Sequence, residues 1–164
     1  MNRFGKAVFI TTLVAGTLDI AAAHINQAIR TGAFPTKIFY FIAAGAIGLK
    51  TALSGGAAIV ALGVAIHYFI SFAFTLLFFL LYPTVKKIST NKYLNGIIYG
   101  AIVWLVMNRL ILPLSALPSK RFVFDNQALT GLLILMFIFG LPISIMANKY
   151  YAKIANTLSA TRAL

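Results

Sequence analysis

Cysteine and glutamate are both absent from this chain, and aspartate occurs only twice, as Asp19 and Asp125. Without cysteine there is no disulfide, no thiolate nucleophile and no Cys-bound metal, and the redox compartment leaves no mark. With no glutamate, and with Asp125 in a polar loop far from Asp19 in sequence, acid–base catalysis by a pair of carboxylates lacks its material. No Gly-rich phosphate loop ending in Lys and Ser or Thr occurs. Leu53-Ser54-Gly55-Gly56 has the letters of part of a transport-ATPase signature, but it stands alone and reads as a turn. No zinc-ligand spacing is present, and the two histidines, His24 and His67, fall at different expected depths, against haem ligation. The expectation is a protein that is not an enzyme, with no cofactor and no bound metal.

Charge is scarce as well. Charged residues are 10% and hydrophobic residues 61%, with a mean hydropathy of +0.94, against roughly 25% charged in ordinary soluble domains. This is the composition of an integral membrane protein. A length of 164 residues has room for about four spans of ~20 residues and short loops, hence a single transmembrane bundle. The net charge of +12 comes from cations scattered through the short polar segments rather than gathered in one stripe. They read as anchors against anionic lipid, with no nucleic-acid partner.

Four apolar stretches are long enough to cross a bilayer: 7–29, 57–82, 94–113 and 129–147. A fifth, 38–49, is ~18 Å long as a helix, too short for ~30 Å of hydrocarbon. Pro35 precedes it, Lys37 and Lys50 flank it, Phe39, Tyr40 and Phe41 suit the headgroup zone, and Ser54-Gly55-Gly56 follows. The fold expected is therefore all-α, with four transmembrane helices plus a short re-entrant or interfacial half-helix. The rival reading merges 38–49 with the second span into one bent helix. Basic residues near the span ends set the orientation. Arg3, Lys6, Lys86, Lys87, Lys92, Lys149, Lys153 and Arg162 fall on one side, against Arg30, Lys37, Lys50, Lys120 and Arg121 on the other. Both termini are thus expected in the cytoplasm. Met1 to Lys6, the following apolar run and Ala21-Ala22-Ala23 have the outline of a cleavable secretory signal. The apolar stretch continues past those alanines, favouring a retained first span. No internal repeat is evident.

Helices in lipid gain little by burying apolar area against one another, so small and polar residues mark their contacts. Gly16, Asp19, Ala23 and Asn26 share one face of the first span. Gly56, Gly63, His67 and Ser71 share one face of the second, Gly96 and Gly100 form a small-xxx-small pair on the third, and Gly140, Ser144 and Asn148 line the fourth. Pro142 is expected to kink that helix. Counting ~1.5 Å per residue brings Asp19, His67 and Asn108 to similar depths in the outer half. An ionisable group at membrane depth is costly, and so marks a pathway, a relay or a buried pair. Asp19, His67 and Asn108 are accordingly the expected polar intramembrane cluster. His24, Asn26, Ser71 and Arg109 are secondary members. For His67 the plainer role is a neutral imidazole bonded to a backbone carbonyl or to Asn108, and Arg109 is expected to snorkel to the headgroups rather than pair with Asp19.

Gly16-Thr17-Leu18-Asp19-Ile20, Ile42-Ala43-Ala44-Gly45 with Gly48, Ser54-Gly55-Gly56, Gly63 with His67, Tyr99-Gly100, Met107-Asn108, Leu112-Pro113-Leu114-Ser115 and Gly140-Leu141-Pro142-Ile143 form a series. It resembles an uncharacterised family of small bacterial inner-membrane proteins, similar to the YagU-like group, over about Gly16 to Ile143. The resemblance implies the bacterial inner membrane and places Asp19, His67 and Asn108 on motif positions. It implies no activity. Arg109 departs from the family's pattern, in which that position is uncharged.

Two roles compete. The one favoured by size, by the absence of a soluble domain and by the Phe-rich face of the second span is a structural or accessory bundle, in a complex with a membrane-protein partner or in a homo-oligomer. The alternative is a transporter or channel for protons or a small solute through the Asp19, His67 and Asn108 cluster, which requires a polar cavity reaching Asp19 from the outer side.

Overall fold

The structure is a computed structural model that describes residues 2–32, 37–117 and 123–162, with side chains through 157. It is all-α among those residues. Four helices are long and apolar enough to cross a membrane: α1 (Arg3–Thr31), α4 (Ala57–Ile88), α5 (Lys92–Leu114) and α6 (Asn126–Thr157, continuing helical to Arg162). Two short helices, α2 (Ile38–Ile47) and α3 (Leu49–Leu53), lie between α1 and α4. Gly48 at φ 80° separates α2 from α3, and Gly55 and Gly56 at φ 83° and 104° separate α3 from α4. These left-handed angles suit glycine and stop a helix, so the short segment stands apart from α4 and the merged helix does not form. Pro35, Lys120 and Arg121 lie outside the described residues.

Helix ends follow local chemistry rather than the edges of the apolar runs. Asn2 caps α1 through Gly5 N at 2.7 Å, and Asn91 caps α5 through Tyr93 N and Leu94 N. Side-chain acceptors of this kind satisfy the free N–H groups of a first turn. The second apolar stretch ends at Tyr82, yet α4 runs through Pro83 to Ile88. Proline removes the N–H that would reach the carbonyl four residues back. That carbonyl belongs to Phe79, and the Tyr151 hydroxyl donates to it at 2.8 Å.

The main core lies toward the termini end of the bundle, beside a groove of about 500 Å³ between α1 and α6. Val8, Phe78, Phe79, Tyr82, Ile143 and Ala147 are essentially inaccessible there, with Phe4, Tyr150 and Tyr151 around them. Tyr82 stacks on Tyr151 and gives its hydroxyl proton to Asn148 Oδ1 at 2.7 Å. Tyr99 O–H donates to the Phe74 carbonyl and Ser144 O–H to the Lys92 carbonyl. In lipid, polar groups must find partners inside the protein, and these bonds join α4 to α6, α5 to α4 and α6 to α5. Thr75 Oγ1 alone among the described buried side-chain oxygens and nitrogens has no partner.

α5 and α6 touch backbone to backbone at Gly96, Gly100 and Gly140. A Cβ on Gly100 would overlap the Leu135 carbonyl, and one on Gly140 the Gly96 carbonyl. The expected kink at Pro142 takes the form of a wide π-type turn, Leu135–Gly140, directly before it. A matching wide turn, Met107–Ile111, precedes Pro113 in α5. In each, a leucine N–H reaches back five residues: Leu112 to the Met107 carbonyl, Leu141 to the Met136 carbonyl. The two segments share Met-x4-Leu-Pro-x-Ser, over 107–115 and 136–144, a short internal repeat that the matching geometry makes visible. A regular helix would drive each proline ring into the carbonyl four residues before it, and the widened turn moves that carbonyl aside.

Gly100→Ala should destabilise the detergent-solubilised protein by about 1–3 kcal/mol through overpacking. Gly131→Ala, where a Cβ would first meet Trp104 at 3.6 Å, should be neutral or mildly stabilising. Thermal unfolding of the two variants beside the parent checks this; equal effects would refute the close crossing.

Candidate functional site

At the end away from the termini the helices part around a cavity of about 620 Å³. Its floor is the packed core, reached at Val103 and Phe139. Its rim is the start of α6, where Asp125 and Gln127 are exposed. Asp19, Asn26, His67, Ser71 and Asn108 all line it. Both wide turns contribute to the wall, through Met107, Asn108, Leu135 and Phe139. π-type turns recur at functional sites because they free backbone groups and re-aim side chains.

α1 and α4 hold the acid and the imidazole together. Gly63, His67, Ser71 and Thr75 recur every four residues on the buried face of α4. Gly16 faces them from α1, where an added Cβ would sit 3.2 Å from Ser71 Oγ and Tyr68 Cε1. This approach lets His67 Nε2 bond the Gly16 carbonyl at 2.9 Å. A carbonyl only accepts, so Nε2 carries the hydrogen and Nδ1 is the uncommitted ring nitrogen. His67 is 8% exposed, and its Nδ1 has no hydrogen-bond partner among the described residues. The imidazole lies within electrostatic reach of Asp19 on the same wall. Ten residues of helix separate His67 from the start of α4 at Ala57, ~15 Å, close to mid-bilayer.

Asn108 shares the cavity without bonding either group. Its amide nitrogen donates to the Trp104 carbonyl at 2.9 Å, one turn back and at the entry to the wide turn. The His67 to Asn108 bond considered from the sequence is therefore replaced by two separate bonds to backbone carbonyls. The reason is geometric: each side chain finds a carbonyl nearer than it finds the other. Of the secondary residues, Asn26 and Ser71 line the cavity and His24 and Arg109 do not. His24 bonds the Ile20 carbonyl on its own helix and packs its ring against Phe39 at 5.4 Å. Arg109 is exposed on the outside of α5.

Three residues of this wall carry no signal in the sequence strong enough to single them out: Gln27, Asp125 and Gln127. Asp125 reads as an unremarkable loop residue. It caps α6 through Ala128 N at 2.9 Å, and a cap directly before an apolar helix is the one signal that could have found it. Its place at the rim means that both carboxylates of the chain line one cavity. Among the described residues no Lys or Arg does so. The described residues contain no group of three His, Asp, Glu or Cys side chains placed to hold a metal ion. Asp19 with His67 would supply two ligands.

α2 closes the flank of the site. Its Phe39 backbone lies against Gly63, where a Cβ would overlap the Phe39 carbonyl, and Ile38 and Ile42 reach the cavity. The segment after α5 ties it down, with Ala116 N donating to the Gly45 carbonyl at 2.8 Å.

Since the chain has no cysteine, single cysteines report water access cleanly. Asn26→Cys and Gln127→Cys should react with a membrane-impermeant thiol reagent, and Phe78→Cys in the packed core should stay protected. Protection of Asn26→Cys equal to that of Phe78→Cys would mean that water does not reach the cavity.

No protein-family model, curated protein or solved structure matches this chain.

Proposed function

We propose that this chain is a non-enzymatic, multi-pass membrane protein that binds a cation in the Asp19 cavity and carries it. The supporting observation is a charge distribution: a protein of net charge +12 has two carboxylates, and both line one cavity that no described Lys or Arg lines. Like signs gathered on the walls of a low-dielectric cleft focus its field and concentrate ions of opposite sign. Asp125 acts at the rim, drawing cations in, and Asp19 is the binding carboxylate at depth. His67, held through Nε2 by the Gly16 carbonyl, offers Nδ1 as a further neutral contact. Asn26, Ser71 and Asn108 supply neutral oxygens for the ligand's remaining contacts.

The cavity ends on the aromatic core, so passage to the termini side requires that end to open. The wide turns before Pro113 and Pro142 are where α5 and α6 lack regular hydrogen bonding, and they suit a hinge. By the distribution of basic residues we place both termini in the cytoplasm of a bacterial inner membrane, with α2 as a re-entrant half-helix beside the site and the cavity opening outward. The competing reading, a bundle that acts by packing with a partner or a second copy, draws on the outward face of α4, where Phe69 is 72% exposed. Lipid chains cover such a face equally well, whereas a carboxylate at the depth of Asp19 is costly unless it serves a ligand or a partner.

In liposomes, Asp19→Asn should abolish cation-driven or pH-driven flux. Asp125→Asn should lower it several-fold at low ionic strength and less at high salt, as a screened steering charge does. Unchanged flux in Asp19→Asn refutes carriage.

A further inference from the structure

Beside the acid-lined cavity lies a second hollow of about 690 Å³, bounded by α2, α4 and the wide turn of α5. Its character is different. Phe41, Gly45, Ala46, Ile66 and Ile111 contribute to its walls, and among the described residues its one charged lining residue, Lys37, is exposed at the start of α2. The two hollows share Gln27, Ile38, Ile42, Ile70, Met107 and Leu112 as lining residues. The partition between them is thus a single layer of side chains. Met107, unbranched and flexible, belongs to that layer and begins the wide turn.

We infer, building on the cation-binding reading above, that the cargo is a lipophilic cation whose ammonium head sits at Asp19 and whose apolar chain lies in the hollow beside α2. A small hydrated ion has no use for an apolar compartment as large as the acid-lined one. An uncharged or anionic chain has no use for a carboxylate at its end. Only a molecule with both parts uses both hollows. Lys37 fixes the direction of binding, since it repels a cationic head at its own end and leaves the Asp19 end as the favourable one. His67 Nδ1, beside Asp19, is a hydrogen-bond acceptor for an N–H of a primary or secondary ammonium. The hollow flanks the half-helix rather than the rim at Asp125, so the chain can enter sideways from the bilayer while the head enters polar surroundings.

The chain's one tryptophan, Trp104, lines the acid-lined cavity, which makes its fluorescence a reporter of occupancy. The full-length protein in nanodiscs is titrated with propylammonium, decylammonium, decanol and decyl sulfate. The Asp19→Asn variant, confirmed monodisperse, is titrated in parallel to subtract partition into lipid, and Asp19→Glu tests rescue. Decylammonium should saturate an Asp19-dependent change at a concentration at least tenfold below that of propylammonium, with Asp19→Glu retaining it. Gly45→Leu, which fills the hollow from α2, should remove that advantage while leaving propylammonium binding intact. If propylammonium and decylammonium bind equally, the cation site stands and the lipophilic cargo is refuted. If neither ammonium gives an Asp19-dependent change, the cation reading falls and the cargo with it. If decanol or decyl sulfate matches decylammonium, the hollow is a site for lipid chains and the inference fails.

Discussion

The glycine crossing of α5 and α6 is the constraint from which the rest of the molecule follows. At Gly96, Gly100 and Gly140 the two backbones touch with no side chain between them. Helices that meet so closely at one end part toward the other, and the termini end becomes a dense aromatic core while the far end holds a cavity. In a bilayer such contacts matter more than apolar burial, because lipid tails solvate a leucine as well as a neighbouring helix does. The Ser144 to Lys92 hydrogen bond then ties α6 to α5 beside the crossing, and the Tyr99 to Phe74 bond ties α5 to α4.

A second close approach, between Gly16 and the Ser71 side of α4, does for the site what the first does for the fold. It brings the Gly16 carbonyl within reach of His67 and so decides which imidazole nitrogen is committed and which stays available. The wide turns add a third element. Each precedes a proline by two residues, each satisfies its leucine N–H five residues back, and each lends side chains to the cavity wall. The close approaches at the glycines and the wide turns before the two prolines together shape the cavity.

Much of this is legible in the residues. The four spans, the separate short helix and the inward stripes of Gly16, Gly63, Gly100 and Gly140 follow from run length and from the small-residue rule, which need no tertiary information. An aspartate inside an apolar run, as Asp19 is, stands out by its chemistry alone. The α4 helix outruns its apolar stretch because a hydroxyl from Tyr151 serves the Phe79 carbonyl that Pro83 leaves unpaired, a partner 72 residues away in sequence. Asp125 is inconspicuous in the sequence because a cap in a polar loop has no visible neighbour until the chain folds.

The sequence alone determined that the chain is helical, of membrane-spanning length and poor in acids, and it determined which helix faces turn inward. These properties depend on composition and on the 3.6-residue period, both local. Tertiary structure alone decided that Asp19 and Asp125 line one cavity, that His67 bonds to Gly16 rather than Asn108, and that a second hollow adjoins the acid-lined one. Each of these depends on where one helix lies against another, which is set by backbone contacts at a few glycines and by two prolines, and no run of consecutive residues encodes that distance.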